Sequence, residues 1–579
     1  MLTATELARR LVAALAASGV RHVVLCPGSR SAPLAYAVHD RVATGALDLH
    51  VRHDERVAAF TALGLGRATG VPAAVVTTSG TAVANLLPAV LEAHHAGVPL
   101  LVLAADRPGR LRGTWANQTS ELQAGLFGLA TRLTTDLSAL DSAGAWTAAA
   151  RAAVEAAMGV GGRPGPVHLN LGFDDPLVPD DPLVPDAACS PADGDDPPSG
   201  PESPSEREHR DGRGAELTLT PGTVVVAGDR AGPDARQVAE SLGLPLLAEP
   251  TSGARSGANA VGPYRLLLDH PALGGRVDQA LVFGRPTLSR PVTRLLDRPE
   301  VGVVRVTGED GEPGPERTDV QQARRAEVLA WADRVDSGRV TGVDEWRRRW
   351  VEAGRQAAAA LDQVLDGWPV LTGPLVAREV AAATTATTPL VLAASNAVRD
   401  VDLAGRPWPW PLGLGLVHAN RGLSGIDGTV STASGIALAT RAPTRVLVGD
   451  VAFLHDLGAL VLGPAERRPD LTVVVLNDGG GGIFSLLEPG ADAERDDAAY
   501  ARFERLFGTP HEVALPAVCE GLGVPHVAVA SAAGLRERLG EPPVGLRVIE
   551  VRVDRDDLRP LHDALQRAVS GALSGVVGA

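Results

Sequence analysis

The chain contains no lysine, so all 54 residues counted as lysine plus arginine are arginine. A Schiff-base enzyme needs a lysine amine and a Walker-type phosphate loop needs its Gly-Lys pair. Lysine aldolases, pyridoxal enzymes and P-loop nucleotidases are therefore excluded, and a carbanion formed here needs another stabiliser. Cysteine is nearly absent as well. Cys26, Cys189 and Cys519 stand at unrelated spacings, which supply neither a disulfide framework nor a metal knuckle, so they read as reduced thiols. Apolar runs stay at strand or short-helix length and none is long enough to span a bilayer. The stretch 1–7 carries Glu6 and no basic residue ahead of an apolar run. It reads as the start of an amphipathic helix and not as a signal peptide, so cytoplasmic residence is expected. A formal charge of −15 disfavours nucleic-acid and anionic-membrane partners, and an anionic ligand would need a locally basic site.

Hydrophobic content of 45% and charged content of 21% describe a soluble globular chain. A length of 579 residues predicts three or four domains at the usual ~150 residues each. Over 1–186 the pattern alternates helix and strand: helices over 3–18, 55–68 and 81–95, and strands over 23–25, 73–77 and 99–104. That alternation predicts a parallel sheet covered by helices. Residues 187–216 are rich in Pro, Ser, Gly, Asp and Glu and read as a flexible linker. A central block over 217–335 has strands at 223–228, 280–284 and 303–306, followed by a polar stretch over 307–325. A helix over 345–365 opens the third block, 336–579, whose strands at 390–394, 445–448 and 471–476 are Val/Leu-rich without alternation. Strands covered on both faces have that composition. The expected fold is α/β with three doubly wound parallel-sheet domains. The first and third resemble each other, which suits a cofactor held between two similar domains.

Two segments carry the chemistry. The first is Asp54-Glu55, followed by the small residues Gly64, Gly66 and Gly70 and the turn Thr77-Thr78-Ser79-Gly80-Thr81. Alone, an acid just inside a helix start is a cap or dipole partner, but the small residues and the turn allow a ligand to approach the backbone closely. The second runs from Gly449-Asp450 to Asn477-Asp478 and Gly479–Gly482. An acid after Gly at a strand end, with a second oxygen ligand one strand later, can hold one Mg²⁺ at the carboxyl edge of a parallel sheet. The glycines let main-chain groups reach a metal or diphosphate.

Together these segments resemble the two halves of a thiamine diphosphate site. The resemblance implies that Glu55 hydrogen-bonds the pyrimidine ring beside Ser79 and Gly80. A desolvated carboxyl there has a raised pKa and shares a proton with the ring, which activates the thiazolium carbon. The diphosphate motif departs from its usual form, with Val451 as its third residue and Asn477-Asp478 as its closing pair. Counting from Asp450 favours Asn477 as the metal ligand. Counting back from Ile483-Phe484 favours Asp478 with the Gly480 carbonyl.

Further motifs narrow the family: Cys26-Pro27-Gly28-Ser29-Arg30, Asp106-Arg107-Pro108, Ala116-Asn117-Gln118, Ser395-Asn396-Ala397-Val398-Arg399-Asp400, and Asn420-Arg421-Gly422-Leu423-Ser424-Gly425-Ile426. Their order over nearly the whole chain resembles the 2-succinyl-5-enolpyruvyl-6-hydroxy-3-cyclohexene-1-carboxylate synthase family of menaquinone biosynthesis. The likeness is weakest at 187–330. It implies a transferase that joins 2-oxoglutarate, after decarboxylation, to isochorismate with thiamine diphosphate and Mg²⁺ or Mn²⁺. By the same resemblance Arg399, Arg421 and Ser395 hold the distal carboxylate of the succinyl unit, and Arg30, Arg107 and Gln118 hold isochorismate. Arg290 is the candidate cation of the central domain. Ser424, Ile426, Gly449, Ile483 and Phe484 line the cofactor. A homodimer or homotetramer with active sites at subunit interfaces is implied. Rival readings are a thiamine-dependent enzyme of monocarboxylates, such as acetolactate synthase, and a non-catalytic metabolite-binding regulator. A nicotinamide oxidoreductase would need a Gly-x-Gly-x-x-Gly turn in a setting that Gly479–Gly482 lacks.

Overall fold

The computed structural model describes residues 2–179, 217–308, 319–335, 341–409 and 416–574. The expected linker at 187–216 lies outside them, apart from a boundary at 217. Three parallel sheets follow one another along the chain. The first contains β1 (His22–Leu25), β2 (Asp48–Val51), β3 (Ala73–Thr77), β4 (Leu100–Asp106), β5 (Leu133–Ser138) and β6 (Pro166–Gly172), in the order β2-β1-β3-β4-β6-β5. The second contains β7 (Thr223–Ala227), β8 (Leu246–Ala248), β9 (Gln279–Phe283), β10 (Gly302–Thr307) and β11 (Gln321–Arg324), ordered β11-β10-β9-β7-β8. The third contains β12 (Leu390–Leu392), β13 (Val417–Ala419), β14 (Thr444–Gly449), β15 (Leu471–Asn477), β16 (His526–Val529) and β17 (Leu546–Arg552). Its order, β13-β12-β14-β15-β17-β16, repeats that of the first sheet strand for strand.

Burial explains the unalternating strand sequences. Every residue of β3, β4, β6, β7 and β15 is buried. Val23 and Leu25 belong to one apolar core of the first sheet while Val24, between them, belongs to another, so helices cover both faces. A third core is continuous from the central sheet into the third. The helix Val343–Gly367 joins the two: Trp346, Trp350, Ala353, Ala357, Leu361 and Leu365 form its buried stripe at helical spacing. The Trp346 indole N–H donates to the Thr223 carbonyl at 2.9 Å.

Helix starts follow the local chemistry. Thr3 and Glu6 form a capping box at the first helix, and Asp54 caps the helix Glu55–Thr69 by accepting from the Arg56 and Val57 amides. Three expectations need correction. The helix expected over 81–95 is two, Thr81–Ala84 and Leu87–Ala96, with Pro88 at the start of the second, where a missing N–H costs nothing. The polar stretch before 325 contains β11, whose Gln-Gln-Ala-Arg sequence buries only Ala323 and so gives no apolar signal. The third concerns the small residues after Glu55. A Cβ on Gly64 would lie 2.0 Å from the Thr432 carbonyl oxygen, and one on Gly435 would lie 2.1 Å from that of Thr61. Gly64 therefore admits the helix Thr429–Thr440 against Glu55–Thr69 and not a ligand. Gly66 meets Pro99, and Gly70 ends the helix at a φ of +70°.

Candidate active site

In both six-stranded sheets the strand order reverses between the first strand and its two neighbours, β1 beside β3 and β12 beside β14. Ligands of doubly wound sheets bind at the carboxyl ends of strands at such a reversal. Candidate residues follow these strands and their neighbours, with Glu55 after β2, Arg421, Ser424 and Ile426 after β13, and Arg290 after β9 of the central sheet.

In the third sheet, Ser395 follows β12 at a φ of +70° and opens the helix Asn396–Ala404. Asp450 follows β14. It is 2% exposed, its Oδ1 accepts from the Val451 amide at 2.8 Å, and its Oδ2 lies 2.9 Å from His511 Nε2. Asp478 follows β15 with its Oδ1 3.2 Å from the Gly480 amide. Burial, followed by the charge of Asp450, pushes the Asp478 carboxyl up to about 7. Asp400 is also pushed up to about 7, by burial above all, against the opposing charges of Arg265 and Arg399. One cavity is lined by Ser395, Asp400, Ile426, Gly449, Asp450, Asp478, Gly480, Ile483 and Phe484. Asn477 is turned away from it. Its amide donates to Glu550 Oε1 at 2.7 Å and its Oδ1 accepts from the Gly479 amide at 3.1 Å, so of the two alternatives only Asp478 reaches the cavity. Ser424 is not among the lining residues either; it sits beside Ile426 at a φ of +60°.

The buried Asp450 carboxylate and the half-buried Asp478, whose proton affinity it raises, form a hard oxygen donor set suited to a cation. Among the described residues no group of three or more His, Cys, Asp or Glu side chains converges on one point. Such a pair fits Mg²⁺, which is held by one or two carboxylates and completed by phosphate oxygens and water. The glycine turn brings its backbone close against the Asp478 side chain. Gly479 has a φ of +72°, and a Cβ on Gly482 would lie 2.0 Å from Asp478 Oδ2.

Cations gather from two sheets beside this cavity. The Arg399 guanidinium donates to the Ser395 carbonyl at 2.8 Å. Its pKa is lowered by burial and then by the charges of Arg421 and Arg265, with a smaller contribution from Arg290. Arg421 is buried and donates to the Thr287 carbonyl at 3.1 Å and hydroxyl at 3.0 Å. Arg290 is exposed and paired with Glu488 at 2.7 Å. Beneath their loop, Glu249 accepts from the Leu288 amide at 2.9 Å, and burial pushes its carboxyl up to about 8.

In the first sheet a second cluster forms. Arg107 donates to the Ser79 hydroxyl at 3.1 Å and the Gln118 carbonyl at 3.0 Å. Its pKa is lowered by burial and then by the charge of Arg30. Arg30 itself donates to the Phe173 carbonyl at 3.0 Å. Gly80, at a φ of +85°, donates its amide to Gln123 Oε1 at 2.8 Å. Glu55 begins its helix and accepts from the Asn85 amide at 3.2 Å. It is half-buried, not the largely desolvated carboxyl expected, and none of the cavity's lining residues comes from the first-sheet region. Glu55 therefore does not line this cavity of its own chain.

Sequence reasoning missed several residues. Gln123 and Asn170 form a buried chain from Gly80 to Asp106, with Gln123 Nε2 2.9 Å from Asn170 Oδ1 and Asn170 Nδ2 3.0 Å from Asp106 Oδ2. A polar Asn inside the fully buried β6 was the available signal. His511, Glu249 and Arg265 gave none, since each acquires meaning only from residues distant in sequence.

Residues 5–126 match the family model for the thiamine pyrophosphate enzyme N-terminal TPP binding domain, and 413–543 match that for the C-terminal TPP binding domain. Among solved structures, a benzoylformate decarboxylase from Polynucleobacter necessarius superposes with a TM-score of 0.65 over 96% of this chain and 99% of its own, at 16% identity. Fold and family models together define a thiamine diphosphate enzyme. A 2-succinyl-5-enolpyruvyl-6-hydroxy-3-cyclohexene-1-carboxylate synthase of Kineococcus radiotolerans is 50% identical over 99% of this chain and 100% of its own length. One of an Arthrobacter species is 48% identical over 100% of this chain and 94% of its own length. The chain belongs to the 2-succinyl-5-enolpyruvyl-6-hydroxy-3-cyclohexene-1-carboxylate synthase family.

Proposed function

We propose that the protein, in the cytoplasm, decarboxylates 2-oxoglutarate and adds the resulting succinyl unit to isochorismate, releasing carbon dioxide and the product for which its family is named. Bound thiamine diphosphate supplies the electron sink that makes this decarboxylation possible. Asp450, Asp478 and the Gly480 carbonyl hold Mg²⁺ or Mn²⁺, while Asn477 braces the turn through Glu550. Gly449, Ser395, Ser424, Ile426, Ile483 and Phe484 surround the cofactor. Ser79 and Gly80 border its pyrimidine, and Glu55 accepts or returns the proton at the ring nitrogen. Arg399 and Arg421, with Ser395, bind the distal carboxylate of 2-oxoglutarate. Arg290 adds a cation from the central domain, and Arg30, Arg107 and Gln118 orient isochorismate. The domains carrying these groups are 1–186, 217–335 and 336–579, each built on one sheet.

The observation that carries the reading is the pair of arginine clusters, each beside one half of the site, in a chain of net charge −15. Each charge-assisted arginine–carboxylate contact is worth about 1.5–3 kcal/mol. A monocarboxylate substrate would leave the buried Arg421 and the half-buried Arg399 without a second carboxylate to bind. A homodimer is the minimum assembly, or a tetramer of two dimers, with Glu55 of the partner subunit completing each cavity. Support comes from the half-buried Glu55 and from Trp115, Leu122 and Leu129, which are 105%, 65% and 97% exposed near Gln118. Among the described residues no helix is long and apolar enough to cross a membrane.

Ultraviolet loss of isochorismate tests the reading with purified protein, thiamine diphosphate and Mg²⁺. Loss that requires 2-oxoglutarate and is not supported by pyruvate is expected. Faster release of carbon dioxide from pyruvate than from 2-oxoglutarate would overturn it in favour of a monocarboxylate enzyme.

A further inference from the structure

His511 bridges the carboxylate after β14 and the glycine turn after β15, its ring meeting the first and its main-chain amide the second. It follows the π-helical turn Glu504–Gly508, whose Gly508 carbonyl accepts from the Gly481 amide at 2.7 Å and from Arg555 at 2.9 Å. The His511 main-chain amide donates to the Gly479 carbonyl at 3.1 Å. Its ring reaches the other way, with Nε2 2.9 Å from Asp450 Oδ2. Nδ1 lies 3.3 Å from the Val513 amide and accepts from it, so in the neutral ring the proton sits on Nε2 and points at Asp450. The Asp450 carboxylate then meets the Val451 amide at Oδ1 and His511 at Oδ2, with the Gly479 amide also directed at it. That fixes the plane of the carboxylate and leaves its remaining lone pairs to the cavity.

We propose that His511 is a positioning residue for the divalent cation, holding Asp450 and the Gly479–Gly480 turn at the separation at which both ligate one ion. The proposal rests on the reading of Asp450 and Asp478 as cation ligands. Hydrogen-bonded supports of metal-binding carboxylates cost about 10–100-fold in metal affinity when removed.

The test is Mn²⁺ binding, followed by electron paramagnetic resonance on full-length protein with thiamine diphosphate, in wild type, His511→Phe and His511→Gln. Phenylalanine keeps the ring volume without the donor, and glutamine keeps an N–H donor at similar reach. Binding about 10–100-fold weaker in His511→Phe is expected, with most of it restored in His511→Gln and the metal-free unfolding midpoints of the three alike. Wild-type affinity in His511→Phe would overturn the proposal, as would a His511→Gln variant as weak as His511→Phe. If His511→Phe does not fold, His511→Asn replaces it, polar but too short to reach Asp450, with the same weak binding expected and wild-type binding overturning the proposal. Wild-type protein that binds no Mn²⁺ with thiamine diphosphate would instead overturn the reading of the metal site itself.

Discussion

At the scale of single residues, the informative side chains are polar groups buried where their charge is poorly tolerated. Asp450 was legible because a Gly-Asp pair ending an apolar run has few structural reasons to exist. His511 was not, because its partner is 61 residues away. Glu249 belongs to the same unreadable class. Only the structure reveals that its carboxyl is buried, with the Leu288 amide on Oε1 and, among the described residues, no hydrogen-bond partner on Oε2. Its pKa rises from 4.5 to about 8, so between those values the native state binds more protons than the unfolded one. The stability associated with the neutral acid is complete below pH 4.5 and disappears as pH rises through about 8. The slope is about 1.4 kcal/mol per pH unit while Glu249 remains protonated only in the native state. Glu249→Gln, which cannot ionise, is expected to remove that contribution. Its thermal midpoint should gain on wild type as pH rises from 5 to 8, and parallel curves would refute the assignment.

At the scale of elements, the packing of helices Glu55–Thr69 and Thr429–Thr440 decides where Glu55 stands. Their backbones meet at Gly64 and Gly435, where a Cβ would sit 2.0 and 2.1 Å from a carbonyl oxygen. No flexible side chain is there to yield. Gly435→Val is therefore expected to destabilise the chain by about 1–3 kcal/mol or more, lowering the thermal midpoint, because overpacking must push the helices apart. An unchanged midpoint would mean that the contact is looser than described. The first of these helices was legible in the sequence, which places it over 55–68; the second was not anticipated. Nor was their crossing, because a glycine reads identically whether a ligand, a turn or another helix lies against it. The loop Asn420–Ile426 makes the same point. Its motif was visible, yet its placement depends on Glu92, whose two oxygens each accept an amide, from Gly422 and Leu423, at 2.7 Å.

At the scale of the whole molecule, the first and third sheets share the 2-1-3-4-6-5 strand order, and no first-sheet residue lines the cavity of the third. A site shared between subunits makes a prediction that a single-chain site does not. Glu55→Gln and Asp478→Asn should each keep the fold and lose nearly all turnover. Mixed and reassociated in equal amounts, random pairing makes half the dimers heterodimers, each with one intact site, and restores about a quarter of wild-type activity. No recovery on mixing, with subunit exchange verified by mass spectrometry, would place both halves in the same chain. The sequence by itself determined the fold class and the family, because apolar periodicity, strand-end acids and glycine turns are local and survive in one dimension. Only the tertiary structure decided that Asp478 and not Asn477 faces the cavity, that His511 meets Asp450 and Glu249 the Leu288 amide, and that Glu55 does not line the cavity of its own chain. Each of these depends on which groups are desolvated together, and that is fixed by packing between segments far apart in sequence.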